Sequence, residues 1–305
     1  MTIRRILLLI TFAAIAIGAN AQDELFKVLA SNGDNKVTSG ANTAKVTIGR
    51  KLYTGDKVQL AANGYLGLVH KSGKTIELKK PGSYSMTQLA REVDVQNLGI
   101  CKKYVDFVVG EMTSQEEDIS KNKYKYMAVT GSVERPAKPV IQSFLPKDAK
   151  VLDQEIELSW LPLEGEKGYH VVLTNLFQDT VFSQTVNNNS VKVDLSKLNL
   201  TADKVYKWTV EGGSGNTEFN PRVIRAVDLS EQKSILEEIN GVKTELKEEN
   251  ALNKFILATV YADKGLLIEA IANYEKAIRL APSVDSYKIA YGQFLESKEL
   301  AKAKE

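Results

Sequence analysis

The side chains that could perform chemistry are few and widely separated in this chain. Its 305 residues include two histidines, His70 and His170. Each lies in an apolar stretch with strand-like character, and no Cys, Asp or Glu cluster at metal-ligand spacing accompanies either of them. We therefore interpret both histidines as strand residues, and the sequence predicts no catalytic residue, no cofactor and no metal site.

The single cysteine, Cys101, excludes an internal disulfide bond. A nucleophilic thiolate requires a neighbouring base or positive charge, whereas apolar neighbours favour an inert, buried thiol. Dimerisation through Cys101 stays open. The acidic pairs at 116–118 and 248–249 are typical of a solvated surface, so the residues favour a protein that is not an enzyme.

The first 21 residues have the order of an export signal. Arg4 and Arg5 precede an apolar run at 6–17, and Ala19-Asn20-Ala21 follows it as a cleavage site. Cleavage after Ala21 predicts a periplasmic protein with no stable membrane insertion; an uncleaved anchor is the alternative. Lys plus Arg then falls from 40 to 38, against 38 Asp plus Glu. This balance, without a dense basic run, argues against a nucleic-acid partner.

The length and composition predict two or three folded domains. Hydrophobic residues make up 43% and charged residues 26% of the chain, as in soluble folded proteins. Between 23 and 85, short β-rich runs alternate with turn signals such as Gly55-Asp56 and Asn63-Gly64. The runs at 86–112 have helical spacing and predict one or two helices packed on this β unit. The predicted strands are 25–30, 44–48, 57–60, 65–70 and 75–78.

Residues 51–78 resemble the core of a FecR-type domain, the periplasmic β-module of ferric-citrate-type regulators. The resemblance rests on a rhythm of Gly55-Asp56, a strand, a small-residue turn, a second strand, Ser72-Gly73 and a third strand. It implies a small all-β fold and, as an alternative function, an envelope sensor or regulator with a retained anchor.

Two prolines, Pro136 and Pro139, indicate a boundary before a second series of short strands. The order Leu158, Trp160, Pro162, then Tyr206 and Trp208 resembles a fibronectin type III or immunoglobulin-like module, which implies a β-sandwich with Trp160 in its core. The predicted strands are 155–160, 169–173, 180–186, 190–195, 205–210 and 222–227.

After residue 229 the strand signals end and helical spacing begins. The predicted helices are 229–250, interrupted at Gly241, then 251–263, 268–280 and one further helix containing Tyr287 and Leu295. The spacing in the middle of this segment resembles a tetratricopeptide repeat, a helical hairpin that binds and assembles proteins. That resemblance is carried by Leu257, Ala258, Tyr261, Gly265, Ala270, Tyr274, Ala277 and Pro282.

In tetratricopeptide repeats the first helix lines a concave surface, and by position that surface would contain Phe255, Thr259 and Asp263. The alternative is that Leu252 and Phe255 are buried against 229–250. One repeat cannot bury its apolar face alone, so flanking helices or a partner must complete it.

The sequence thus predicts a multidomain α and β protein. Its parts are a signal peptide (1–21), a FecR-like β-domain with helical extension (22–134), a β-sandwich (135–228) and a tetratricopeptide-like helical segment (229–305). The expected function is protein-protein interaction or scaffolding in a bacterial cell envelope, with a protein partner there. The alternatives are the FecR-type sensor and a carbohydrate- or peptidoglycan-binding module that uses exposed aromatic residues such as Tyr65 or Tyr84.

Overall fold

The structure, a computed structural model, describes residues 23–93, 104–105, 108, 139–152, 155–198 and 205–300. Within these residues the chain is a mixed α and β, multidomain protein: a β unit comes first, further sheets follow, and four helices end the described chain. The strands are β1 Glu24–Asn32, β2 Lys36–Ser39, β3 Asn42–Lys45, β4 Lys51–Tyr53, β5 Lys57–Leu60, β6 Tyr65–His70, β7 Thr75–Leu78, β8 Gly82–Ser85, β9 Val140–Ile141, β10 Asp148–Val151, β11 Glu155–Ser159, β12 Tyr169–Thr174, β13 Thr180–Val186, β14 Ser190–Asp194, β15 Val205–Gly212, β16 Glu218–Phe219 and β17 Arg222–Ala226. The helices are α1 Met86–Arg91, α2 Leu229–Glu245, α3 Ala251–Asp263, α4 Leu267–Leu280 and α5 Asp285–Ser297.

The N-terminal β unit, residues 23–93, consists of two four-stranded sheets, β4-β1-β6-β7 and β3-β2-β5-β8. Its core lies between the sheets and contains Phe26, Leu66 and Leu68, all fully buried. Asp56 supports the turn before β5, because its carboxylate accepts hydrogen bonds from Ser39 Oγ at 2.6 Å and Tyr53 N at 2.8 Å. The Gly55-Asp56 signal therefore has a structural role here.

Strand β6 is buried on both of its faces, which is unusual for an antiparallel sheet. Leu66 and Leu68 face the core of the β unit. Tyr65 and Val69 belong instead to the larger core that the unit shares with the rest of the chain. The near-continuous apolar sequence of this strand follows from that double burial.

The middle β-sandwich, residues 139–227, contains a five-stranded sheet in the order β10-β17-β15-β12-β13. The pair β11-β14 and the short pair β9-β16 complete it. Trp208 is fully buried, and Trp160 packs edge-to-face on Tyr169 with ring centroids 5.3 Å apart. The predicted β-sandwich is confirmed, with strand β13 at the predicted residues; its boundary at Pro136 lies outside the described residues.

The helical segment, residues 229–300, is built on the antiparallel hairpin α3–α4. Asn250 begins α3 by accepting the Asn253 N–H at 2.8 Å, an N-cap that stabilises the first turn. Gly265 turns the chain with a φ of 71°, and fully buried Ala258, Ala270 and Ala277 allow the helices to approach closely.

One expectation about the helices requires correction. Helix α2 continues through Gly241 without the predicted interruption, because Ile239 and Val242 on either side are fully buried and packing outweighs the roughly 1 kcal/mol helix penalty of glycine. In the predicted helical region 86–112, the described residues include helix α1, which contacts β1, and the helical positions 104, 105 and 108. The remainder, including Cys101, lies outside the described residues.

Candidate interaction surfaces

The three residues of the predicted groove do not share an open surface. Phe255 is 2% exposed and packs between Tyr274 and Tyr287, with centroid distances of 5.4 and 4.9 Å. Thr259 is 7% exposed, and its hydroxyl donates to the Ile256 carbonyl at 2.7 Å. Only the carboxylate of Asp263 reaches solvent, beside Lys264 Nζ at 3.1 Å.

The face of helix α3 on which the groove was predicted is covered by the chain's own N-terminal β unit and by the neighbouring helices. Helix α3 packs on β7, and α5 packs on β1. A Cβ atom built on Gly67 would lie 3.4 Å from both δ-carbons of Leu252. Leu252 therefore packs directly on strand β6 at Gly67, with room for little more than a methyl group between them.

A buried polar network joins the β unit to the helices. The Tyr65 hydroxyl donates to Glu77 Oε1 at 2.7 Å and lies 2.8 Å from the Tyr287 hydroxyl. The same carboxylate oxygen accepts the Leu252 N–H at 2.7 Å, so a sheet residue caps the first turn of α3. Burial, reinforced by Tyr287 and Glu77, raises the pKa of Tyr65 far above its usual value. The hydroxyls of Tyr65 and Tyr287 therefore stay protonated, and their hydrogen bond links the β unit to the helices.

A second contact of the same kind involves the next residue of helix α3. Thr75 Oγ1 donates to Asn253 Oδ1, and Asn253 Nδ2 donates to the Glu248 carbonyl at 2.9 Å. Thr75 and Asn253 are both buried. These bonds fix the orientation of the helical segment on β7, because a shift would leave buried polar groups without partners.

The other side of the helical segment packs on the middle β-sandwich. Helix α4 contacts β10 and β11, and Lys276 Nζ lies 3.2 Å from a Glu157 oxygen. Burial opposes the charged form of Glu157, but Lys276, Ser190 and Arg279 together hold its pKa below the usual value. The helical segment is thus an internal connector between the two β units.

A cleft of about 440 Å³ lies between the sandwich and the helices. Two of its lysines pair with lining glutamates: Lys192 with Glu155 at 2.8 Å and Lys254 with Glu249 at 2.7 Å. Lys243 lies deeper, its ammonium 5.6 Å from the centre of the Tyr261 ring, and burial lowers its pKa. Five lysines and four glutamates line the cleft, so it offers no dominant charge to a ligand.

The histidines and the aromatic candidates are in structural positions. His70 is 5% exposed, contacts Ser72 Oγ through Nδ1 at 2.8 Å, and has its pKa lowered by burial. His170 Nε2 lies 2.8 Å from Ser183 Oγ on the sandwich surface.

The expectation that Tyr65 is an exposed aromatic is wrong, since it is 4% exposed. Tyr84 is half-buried, and its hydroxyl donates to the Lys80 carbonyl at 2.6 Å. Among the described residues, no group of three or more His, Cys, Asp or Glu could hold a metal ion.

The feature that sequence reasoning missed is an apolar loop at the end of the β12–β13 hairpin. Leu176 is 71% exposed and Phe177 is 85% exposed. We call residues 175–179 the hairpin tip. A turn of this length normally presents polar residues, so the Leu-Phe pair between two strands was the signal available in the sequence.

The backbone of the hairpin tip is held in one shape by its own residues. Asn175 Oδ1 accepts the N–H groups of Phe177 and Asp179, each at 2.9 Å. The Asn175 N–H donates to the Asp179 carbonyl at 3.0 Å, and Gln178 adopts a φ of 69°. The tip therefore presents two large apolar side chains from a preformed turn, which reduces the entropy lost when a partner binds.

The chain matches no known protein-family profile, and no curated protein matches it. Among solved structures, the chain is similar to the FN3 domain of human collagen XX, with 19% sequence identity and a TM-score of 0.24. The similarity covers 30% of this chain and 96% of that one. Within the described part of the chain, no helix is both long and apolar enough to cross a membrane.

Proposed function

We propose that this protein is an exported, non-enzymatic interaction or scaffold protein of a bacterial cell envelope, and that it binds a protein partner through the hairpin tip. The observation that carries the proposal is the exposure of Leu176 and Phe177 on a preformed turn. Large apolar side chains surrounded by polar groups are the usual anchors of protein interfaces. Export to the periplasm is supported by the charged, apolar and small-residue order of the first 21 residues.

A protein partner fits the charge of the surroundings better than a membrane surface does. Between 174 and 191 the only charged residue is Asp179. Attachment to an anionic bilayer relies on Lys and Arg beside the apolar anchor. The hairpin tip instead fits an apolar pocket on a protein partner. Because Asp179 is negative, the rim of that pocket would be neutral or weakly basic.

In this proposal the α3–α4 hairpin is a tetratricopeptide-type unit that acts within the chain, and the N-terminal β unit is a FecR-type module without a sensing role. The support is the burial of Phe255 and Thr259 against neighbouring parts of the chain and the capping of α3 by Glu77. We therefore expect the partner to bind the sandwich and not the helices.

The test is photo-crosslinking in cells that express the protein, with p-benzoylphenylalanine in place of Phe177. We expect a covalent adduct with a protein of the envelope fraction. The matched control carries the same probe in place of Lys233, whose side chain is 86% exposed on helix α2. No adduct at 177, or the same adducts from both positions, would overturn the proposal. Sequencing of the mature N-terminus tests the export part, which expects Gln22 as the first residue.

A further inference from the structure

Strand β7 forms one edge of the sheet β4-β1-β6-β7, and among the described strands it pairs only with β6. Its register with β6 runs from Thr75 to Leu78 without a bulge. Both faces of the strand are covered, because Thr75 and Glu77 bond to helix α3 and Leu78 lies in the core of the β unit. The side of β7 that points away from β6 is, for the residues that the structure describes, an unpaired strand edge.

The backbone hydrogen-bonding groups of Thr75 and Glu77 point toward this edge. In an antiparallel pair of strands, residues that exchange hydrogen bonds with the partner strand alternate with residues that do not. The His70 N–H donates to the Lys74 carbonyl at 2.7 Å, so these two residues form a hydrogen-bonded pair. Ile76 follows two residues later and bonds to β6 in the same way. Thr75 and Glu77 therefore each present an N–H and a C=O group to whatever lies beside the edge.

A groove of about 480 Å³ runs along this edge, and we call it the β7 groove. It contacts residues 74–77 of the strand in succession, which places it at the edge because both faces of β7 are covered. One wall contains Leu89 of helix α1 and Val93, and the other contains Glu248 and Asn250 of the α2–α3 turn. The volume is within the range of sites that enclose a small ligand or a short peptide.

The walls of the β7 groove define the side chains that fit it. Leu89 and Val93 are apolar and pack with Ile76 on the core of the β unit. Glu92 on the same wall and Glu248 on the opposite wall are both exposed carboxylates. Glu248 lies 4.0 Å from Lys74, and Glu92 takes part in none of the ion pairs among the described residues. The groove thus combines an apolar contact surface with carboxylates that attract a basic side chain.

We infer that the β7 groove binds an extended segment of a protein partner, which adds a strand to the edge of β7. Backbone hydrogen bonds to the edge provide affinity in this mode of recognition, and the side chains provide specificity. Successive side chains of a strand point to opposite sides, so a segment with alternating apolar and basic residues fits. Its apolar residues contact Leu89 and Val93, and its basic residues lie near the groove's carboxylates. This surface is distinct from the hairpin tip, which belongs to the middle β-sandwich.

The test is a fluorescence-anisotropy titration of the purified protein with an N-terminally fluorescein-labelled peptide, Lys-Val-Lys-Val-Lys-Val-Lys. We expect saturable binding with a dissociation constant on the order of 100 micromolar. The peptide with Glu in place of every Lys should bind about fivefold more weakly, because it meets the carboxylates of the groove. A peptide of the first sequence that is methylated on every backbone nitrogen keeps the side chains but loses the N–H groups, and it should not bind.

Glu92→Lys is the variant of the protein that separates this groove from the rest of the surface. The Glu92 side chain is exposed, so we expect the variant to fold, to bind the Lys peptide about fivefold more weakly and to bind the Glu peptide more tightly. The matched control is Glu237→Lys, which makes the same change on helix α2, where the Glu237 side chain is 70% exposed. The control should bind both peptides as the wild type does.

Amide hydrogen exchange followed by NMR locates the bound peptide. We expect the Lys peptide to slow exchange at Thr75 and Glu77 but not at Ile76, whose N–H already bonds to β6. The absence of saturable binding by the Lys peptide, equal binding of the methylated peptide, or unchanged exchange at Thr75 and Glu77 would each overturn the inference. Equal losses of affinity in Glu92→Lys and Glu237→Lys would also overturn it, because they indicate attraction by the net charge and not by the groove.

Discussion

Replacing Glu77 with alanine is the sharpest test of the link between the N-terminal β unit and the helical segment. The Glu77 side chain is 6% exposed, and one of its oxygens accepts from both Tyr65 and Leu252 at 2.7 Å. Glu77→Ala leaves the Leu252 N–H without its acceptor, at a cost of about 1–3 kcal/mol. The Tyr65 hydroxyl can still bond to Tyr287, so its loss adds about 1 kcal/mol. We expect a total destabilisation of about 2–4 kcal/mol.

Lys79 does not change this magnitude appreciably. Its ammonium lies 2.5 Å from Glu77, but the Lys79 side chain is 52% exposed, and partly exposed ion pairs contribute at most about 1 kcal/mol. Glu77→Gln keeps one carbonyl acceptor and should cost about 1 kcal/mol. The comparison of the two variants separates the loss of the acceptor from the loss of the charge.

Urea unfolding followed by far-UV circular dichroism measures these differences. The matched control is Glu155→Ala, which removes a carboxylate that is 57% exposed on the sandwich and should change the stability by less than about 0.5 kcal/mol. If Glu77→Ala were as stable as the control, with an unchanged denaturant slope, the carboxylate would not join the two units and the reasoning would be refuted.

Three further predictions follow from the same contacts. Gly67→Val should destabilise the protein by about 1–3 kcal/mol through overpacking against Leu252, whereas a well-tolerated valine in thermal unfolding would contradict the close approach of α3 to β6. The folded-state pKa of Glu157 is lowered, so its contribution to stability is complete above its ordinary pKa of 4.5 and is lost as the pH falls through the lower, folded-state value. Lys276→Met should reduce this loss of stability at acid pH, and identical stability-versus-pH profiles for the variant and the wild type would contradict the pairing. Both tryptophans, Trp160 and Trp208, lie in the sandwich, whose core is continuous with the helices; unfolding by tryptophan fluorescence and by circular dichroism should therefore have one midpoint, and two separated midpoints would argue against the connector role.

Local patterns in the sequence were sufficient for much of the fold. Helix α3 has the predicted bounds, and α4 begins one residue before the predicted start. Strands β5, β6 and β7 also lie at the predicted residues. In these segments, apolar periodicity and turn residues agree with each other, so local preference and tertiary packing point to the same structure.

Short strands escaped prediction because their apolar pattern is too brief. Strands β2 and β4 bury one apolar residue each, Val37 and Leu52, within four and three residues. Strand β10 alternates Asp-Ala-Lys-Val and pairs in parallel with β17, a partner over 70 residues away. Such elements are stabilised by the sheet they join, and a single strand carries little evidence of its own.

The candidate site was missed for a related reason: periodicity predicts that a face is apolar but does not identify what covers it. Phe255 and Thr259 fit a groove by position, yet the chain's own β unit and helices bury them. Leu176 and Phe177 show the opposite case. Apolar residues beside a strand suggest a core position, but the geometry of the hairpin leaves both side chains exposed. Both outcomes depend on contacts between distant parts of the chain.

The central claim is that the hairpin tip is the surface through which this protein binds another protein. The most direct measurement is the mass-spectrometric identification of what a photoreactive residue at position 177 captures in the envelope of living cells, compared with position 233. We expect a protein adduct specific to position 177. The absence of any adduct at position 177, under conditions in which the protein is exported and folded, would contradict it.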